Sequence, residues 1–169
     1  MPLDASDYSE LQGGLVRMLD RLQAEGTATK DRDADQFLRD EPAAVLLGLL
    51  YDQRVLAEVA FAGPHKLRQR LGHLDLARIA EMDRDAFAEA FTAPPAVHRF
   101  TNTMVDTTQA VARRVAEDYD GDAGRIWAEG DWQAVEERVR ALPGFGPMKA
   151  KKLKFCLYYF GHRDLSERA

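Results

Sequence analysis

The sequence predicts an all-α fold, and three observations support this class. Apolar residues recur at intervals of three and four over most of the chain, as they do along one face of an α-helix. No stretch shows the sustained alternation of β-branched residues that is typical of a strand. Apolar residues make up 46% of the 169 positions and charged residues 30%, the balance of a folded domain with a sizeable core.

Helical periodicity begins close to the N-terminus. A leucine-rich stripe predicts a first helix over residues 8–23. The charged stretch 30–35 is expected to form a loop, and a short helix over 35–39 follows it. Pro42 suits the first turn of the next helix, predicted over 42–56, which is apolar nearly all round. We therefore expect that helix to be the central buried element.

The second half of the chain continues this pattern. The remaining predicted helices cover residues 64–71, 74–80, 84–91, 102–119 and 132–142, with a short turn at 124–127 and a last helix from Pro147. Asp83 and Asp131 precede two of these helices as N-caps. We divide the chain into an N-terminal helix and linker that pack on the core (1–35), a helical domain (36–161) and a short tail (162–169).

Composition excludes several kinds of site. Cys156 is the single cysteine, so an intrachain disulfide, a four-cysteine zinc site and a cysteine-ligated iron–sulfur cluster are excluded. The histidines lack metal-ligand spacing, and we expect no cofactor. The longest apolar run, 43–51, is far shorter than the ~20 residues that span a bilayer, and the N-terminus lacks a signal-peptide pattern. The sequence therefore predicts a cytoplasmic protein without a membrane partner.

The most informative stretch is Leu142-Pro-Gly-Phe-Gly-Pro-Met-Lys-Ala150, between two amphipathic helices. Its glycines permit a tight turn, and Phe145 between them can point back into the core. Pro147 then starts a helix whose first amides are unpaired and can bind a phosphate oxygen. The net charge is −5, but residues 141–161 hold four lysines and no acid, so mobile positive charge is expected around the turn. The alternative is a plain helix connector with solvated lysines.

This stretch resembles the helix-hairpin-helix of the HhH-GPD superfamily of DNA glycosylases, which includes endonuclease III and the adenine and alkyladenine glycosylases. Residues 41–53 resemble the family's central barrel helix, which ends in a glutamine near the DNA, and 104–119 with the Trp132 helix resemble the two helices before the hairpin. The likeness covers 36–161, and within it residues 52–53, 60–64 and 67–71 look like a short bacterial branch of the superfamily without an iron–sulfur cluster. It implies a helical barrel with an added N-terminal helix, and double-stranded DNA as partner.

The resemblance also implies roles for single residues. The implied DNA contacts are Gln53, Gly144, Phe145, Gly146, Met148, Lys149, Lys151 and Lys152. Gln53 would enter the gap left by a flipped nucleotide, although a glutamine at a helix end can equally satisfy a carbonyl. The resemblance allows a monovalent cation at the hairpin backbone. The protein is expected at the nucleoid.

Catalytic residues are harder to assign. The family's strand-cleaving members use a hairpin lysine whose position is held here by Met148, so lyase chemistry is not expected; Lys149 lies roughly 100° further round the helix. The family's catalytic aspartate has Asp164 as its nearest candidate and Asp52 as an alternative, and each can equally be structural. Three readings stay open: a DNA N-glycosylase in base-excision repair, a non-catalytic module for bent or damaged duplex, and a protein-docking helical domain.

Overall fold

The computed structural model describes residues 2–167 and confirms the all-α class. Within that range it contains nine α-helices and one short 3-10 helix, and no strand. The elements are α1 (Gly14–Glu25), α2 (Arg32–Asp40), α3 (Pro42–Tyr51), α4 (Ala57–Leu71), α5 (Leu76–Glu81), α6 (Arg84–Thr92), α7 (Thr101–Tyr119), the 3-10 helix (Ala123–Ile126), α8 (Trp132–Arg140) and α9 (Pro147–Tyr159). None of these helices combines the length and apolar composition that a membrane-spanning segment needs.

Helix α3 is the buried centre of the fold, as its apolar sequence predicts. Every residue from Ala43 to Tyr51 is buried, and α3 packs against α2, α4 and α9. The helix ends at Tyr51 and not at residue 56, because the polar Asp52 and Gln53 begin a loop there. Gly48 permits close packing against α4, since a Cβ at this position would lie 2.6 Å from Cδ1 of Phe61.

Helix α4 begins at Ala57, well before the predicted start at residue 64, and Pro64 lies inside it. A proline within a helix costs roughly 3 kcal/mol because it removes a backbone hydrogen bond. Ala57, Ala60 and Phe61 are buried, and α4 makes extensive contact with α3. Burial of the first half of α4 therefore outweighs the local signal that the proline gives.

The N-terminal prediction is wrong in its boundary. Helix α1 begins at Gly14, and residues 2–13, which we call the N-terminal arm, lack regular structure. Gly13 has a φ of 96° and so cannot continue a helix. The arm lies against the C-terminal segment: the Ala5 amide donates to Oγ of Ser166, and the Glu167 amide donates to the Leu3 carbonyl.

The charged stretch 30–35 is expected to form a loop, and this prediction is wrong in its second half, because α2 begins at Arg32. The Asp31 side chain caps the helix by accepting from the amides of Asp33 and Ala34. Asp35 is buried and accepts hydrogen bonds from the amide and the hydroxyl of Thr29, at 2.9 and 2.7 Å. A charged residue in a polar stretch therefore organises the chain between α1 and α2.

Candidate nucleic-acid interface

Helices α8 and α9 are joined by a tight turn whose backbone matches its glycines. Gly144 has a φ of 80°, in the left-handed region, and the Phe145 amide donates to the Leu142 carbonyl at 3.2 Å. The Phe145 side chain is only 4% exposed and belongs to the core cluster. The turn is therefore anchored from inside by an aromatic ring and shaped by one glycine that requires a positive φ.

The other side of this turn is open to solvent. Gly146 is the N-cap of α9 in extended backbone, and a Cβ added there would meet no atom within 4 Å. The first helical hydrogen bond of α9 runs from the Ala150 amide to the Gly146 carbonyl, so the amides of Met148 and Lys149 precede it. Met148 is 79% exposed. An exposed backbone surface with unused helical donors results, which is the arrangement that binds an anion at a helix start.

Lys149 connects the hairpin to the end of α3. Its Nζ donates to the Leu50 carbonyl at 2.6 Å and to Oε1 of Gln53 at 3.1 Å. The sequence predicts mobile charge at this position, whereas the ammonium group is held against another element. Burial lowers the pKa of Lys149, with Asp52 opposing that shift. One lysine therefore places the loop after α3 beside the hairpin.

His98 binds the same end of α3 from the other side. Its Nε2 lies 3.0 Å from the Tyr51 carbonyl, and its Nδ1 accepts from the Phe100 amide at 3.0 Å. The proton is therefore on Nε2, and burial lowers the pKa of His98. The buried position of His98 and its two hydrogen bonds give it a structural role. No local sequence signal connects it to α3.

Asp52 and Gln53 follow α3 directly and differ in exposure. Gln53 is exposed and its side-chain oxygen faces Lys149, so it lies on the hairpin side of the molecule. The Asp52 side chain is only 9% exposed, and its Oδ2 lies 3.6 Å from Nζ of Lys152. Burial raises the pKa of Asp52, while Lys152 and Lys149 act in the opposite direction. Asp52 is thus a shielded carboxylate between two lysines.

The four lysines of α9 all have partners within the chain. Lys149 donates to the end of α3, and Lys152 pairs with Asp52, as described above. Nζ of Lys151 lies 3.3 Å from Oε2 of Glu10. Lys154 is buried, with its ammonium group 5.3 Å from the Trp132 ring centroid. Two of the four charges are therefore paired with carboxylates, and the other two ammonium groups are held by neutral groups. These partners come from distant parts of the sequence, which is why local composition gives no sign of them.

Asp164 lies apart from this group. It follows the C-terminal end of α9, where its Oδ1 accepts from the Ser166 amide at 2.9 Å. At about 1.5 Å per residue, α9 separates this end from the hairpin by roughly 18 Å. The structure thus brings Asp52, Gln53, Met148, Lys149 and Lys152 together beside the hairpin glycines and places Asp164 at the opposite end of the helix.

A separate group of metal-binding residue types lies near α2. Asp31, Asp33 and His65 have ligand atoms within 4.8 Å of one another. Nδ1 of His65 is 2.9 Å from a guanidinium nitrogen of Arg68, which can only donate, so the ring proton is on Nε2. The imidazole then has no free lone pair for a metal. The monovalent cation at the hairpin backbone stays a prediction.

Comparisons with known proteins do not add to this geometry. No protein-family model matches the chain, and no curated protein matches it. The functional assignment therefore depends on what the residues can do. The exposed amides of the hairpin can bind a phosphate oxygen, Gln53 offers donors and an acceptor to a base, and Asp52 offers a carboxylate close to both.

Proposed function

We propose that this chain binds double-stranded DNA through the hairpin between α8 and α9, and that it acts in base-excision repair as a DNA N-glycosylase of the HhH-GPD type. One observation carries the proposal: the exposed residues Gly146 to Met148 lie next to Gln53, because the Lys149 side chain that follows them donates to Oε1 of Gln53. Amides at a helix start contact phosphate without reading base sequence, while a side chain beside them can reach a base.

The arrangement of helices supports the same proposal. A central α3 that is buried along its length, and that ends where the hairpin helix α9 approaches, fits an HhH-GPD helical barrel. Helix α1 packs on this body through Leu15, Met18 and Leu19, as an added N-terminal helix would. The partner we propose is chromosomal DNA, which places the protein at the nucleoid in the cytoplasm.

The chemistry we propose is hydrolysis of the N-glycosidic bond of a flipped base. A carboxylate near the sugar stabilises the positive charge that develops as this bond breaks. Asp52 lies on the hairpin side, and Asp164 does not, so Asp52 is the better-placed group. Strand cleavage through a Schiff base is not part of the proposal, because Met148 has no amine and Lys149 donates to the Leu50 carbonyl.

A second candidate is a non-catalytic module that recognises bent or damaged duplex. The observation that favours it is the shielding of Asp52: a side chain that is 9% exposed and lies 3.6 Å from the Lys152 ammonium group has little access to a bound sugar. In this reading the hairpin and Gln53 keep their contacts with DNA, and no bond is broken.

Base release separates these two candidates. Duplexes that contain uracil, an alkylated purine, an oxidised pyrimidine or a mismatched adenine are incubated with the wild type, Asp52→Asn and Asp164→Asn. We expect release by the wild type and by Asp164→Asn and a loss of at least 100-fold in Asp52→Asn, since removing a charge-stabilising group typically costs 10²–10³ in rate. Thermal unfolding of each variant shows whether it remains folded.

The outcomes distinguish the roles of the two aspartates. Release that is lost only in Asp164→Asn would assign catalysis to the other end of α9 and contradict our placement. If all three proteins bind duplex and none releases a base, the non-catalytic module is the correct reading.

Binding itself is tested by its salt dependence. Two to four phosphate contacts predict that log Kd changes with log salt concentration with a slope of magnitude about 2 to 4. The measurement is fluorescence anisotropy of a labelled duplex while the salt concentration is raised from about 20 to about 200 mM. Absence of binding throughout this range would contradict the DNA proposal and favour a protein-docking domain.

A further inference from the structure

The N-terminal arm is acidic and lies along the basic helix α9. Residues 2–13 contain Asp4, Asp7 and Glu10 and neither lysine nor arginine. The ring of Tyr8 packs edge-on against Phe155 and Tyr159, with centroids 6.5 and 5.6 Å apart. Negative charge from one end of the chain is thereby placed next to the lysines of the other.

The arm holds Glu10 in a defined place. The Leu11 amide donates to the Tyr8 carbonyl at 2.9 Å, which forms a turn around Glu10. The Tyr8 hydroxyl donates to Asp20 of α1 and accepts from Gln23, each at 2.5 Å. Tyr159 of α9 donates to the Ser6 carbonyl. The turn is therefore attached both to α1 and to α9.

Within this turn Glu10 reaches one of the proposed DNA-contacting lysines. Its Oε2 is 3.3 Å from Nζ of Lys151, and the two side chains are 77% and 44% exposed. The Glu10 carboxylate also acts on Lys154, one helical turn further on. Burial lowers the pKa of Lys154, and the negative charge of Glu10 opposes this shift. Glu10 thus faces the same side of α9 as both lysines.

An exposed pair of this kind can be replaced by another anion. It contributes little to folding stability, and both groups remain accessible to solvent. A DNA phosphate would need the same ammonium group that the Glu10 carboxylate already contacts. The carboxylate also repels any phosphate that approaches this part of α9.

We propose that Glu10 competes with DNA phosphate for Lys151, so that the N-terminal arm lowers the affinity of the hairpin surface for the DNA backbone. This inference rests on the proposed function. The competition gives a role to the acidic arm, which is attached to α9 through the hydrogen bond from Tyr159 to the Ser6 carbonyl. Binding then depends more on Gln53, which can reach a base, and less on general charge attraction, which does not distinguish one DNA site from another.

The test compares Glu10→Gln with Glu25→Gln. Both variants remove one negative charge, but Glu25 pairs with Arg21 on α1 at 3.8 Å and is not part of the arm. We expect Glu10→Gln to bind a labelled duplex about three- to tenfold more tightly at low salt, with a log–log slope steeper by about one, because Lys151 then neutralises a phosphate. Glu25→Gln should stay within about twofold of the wild type.

The same change in a Lys151→Gln background shows whether the lysine mediates the effect. There, Glu10→Gln should no longer alter the affinity. The inference is overturned if the two glutamate variants bind equally, or if the gain persists without Lys151. Either result leaves the proposed function intact as long as the wild type binds duplex. If neither the wild type nor Glu10→Gln binds duplex at low salt, the proposed function fails and the inference fails with it.

Discussion

Gly144→Ala is expected to lower the free energy of unfolding by about 2–4 kcal/mol and to abolish DNA binding. Gly144 has a φ of 80°, where a residue with a Cβ is strained. The added carbon would also lie 2.7 Å from Cδ1 of Leu50 and 2.8 Å from Cγ2 of Thr107. Both side chains would have to move, and the turn would move with them. Urea denaturation measures the first effect and duplex anisotropy the second.

Gly146→Ala is the matched control for this prediction. The backbone there is extended, and an added Cβ meets no atom, so the stability should change by only about 1 kcal/mol or less through the weaker N-cap. The methyl group would project into the open space where we place the phosphate, so DNA affinity should still fall at least tenfold. Undiminished affinity in this folded variant would show that DNA does not contact the hairpin backbone.

Phe145→Ala should have an effect on stability of similar size. Truncation of a buried phenylalanine typically costs 3–5 kcal/mol, and Phe145 is 4% exposed in the core cluster. Phe145→Leu keeps most of the volume and should cost less than about 1.5 kcal/mol. The midpoint of urea unfolding, measured for both variants, tests this difference.

The same pair shows how Phe145 influences DNA binding. Because the ring points inward, we expect Phe145→Leu to keep the affinity for duplex within about threefold of the wild type. A folded Phe145→Leu variant that loses binding would show that the ring contacts DNA directly. An alanine variant as stable as the wild type would contradict its role as the anchor of the turn.

The sequence predicts the features that depend on neighbouring residues. The apolar run of α3 predicts a central buried helix, and the two glycines around Phe145 predict a turn with an inward-pointing ring. Both follow from local patterns, because a helix that is buried on all sides needs an apolar run and a positive φ favours glycine. Asp31 is also a residue type that caps helices, but it stands among other charged residues, and the stretch therefore predicts a loop.

The features that the sequence does not predict depend on residues far apart in the chain. Lys149 contacts the carbonyl of Leu50, and Lys151 pairs with Glu10 of the arm. Neither partner can be identified from the composition of α9, which gives only a count of lysines. The early start of α4 has the same origin, because Phe61 is buried against α3 and this tertiary contact outweighs the signal of Pro64.

The shared attachment to α3 has a consequence for ligand binding. Lys149 and His98 hold the Leu50 and Tyr51 carbonyls, so the hairpin and the loop before α7 are both fixed to one helix end. A partner that docks there meets a surface that is already assembled, and little conformational entropy is lost on binding. Gln53 is linked to the start of α9 by its hydrogen bond with Lys149. Displacement at one segment would therefore be transmitted to the other.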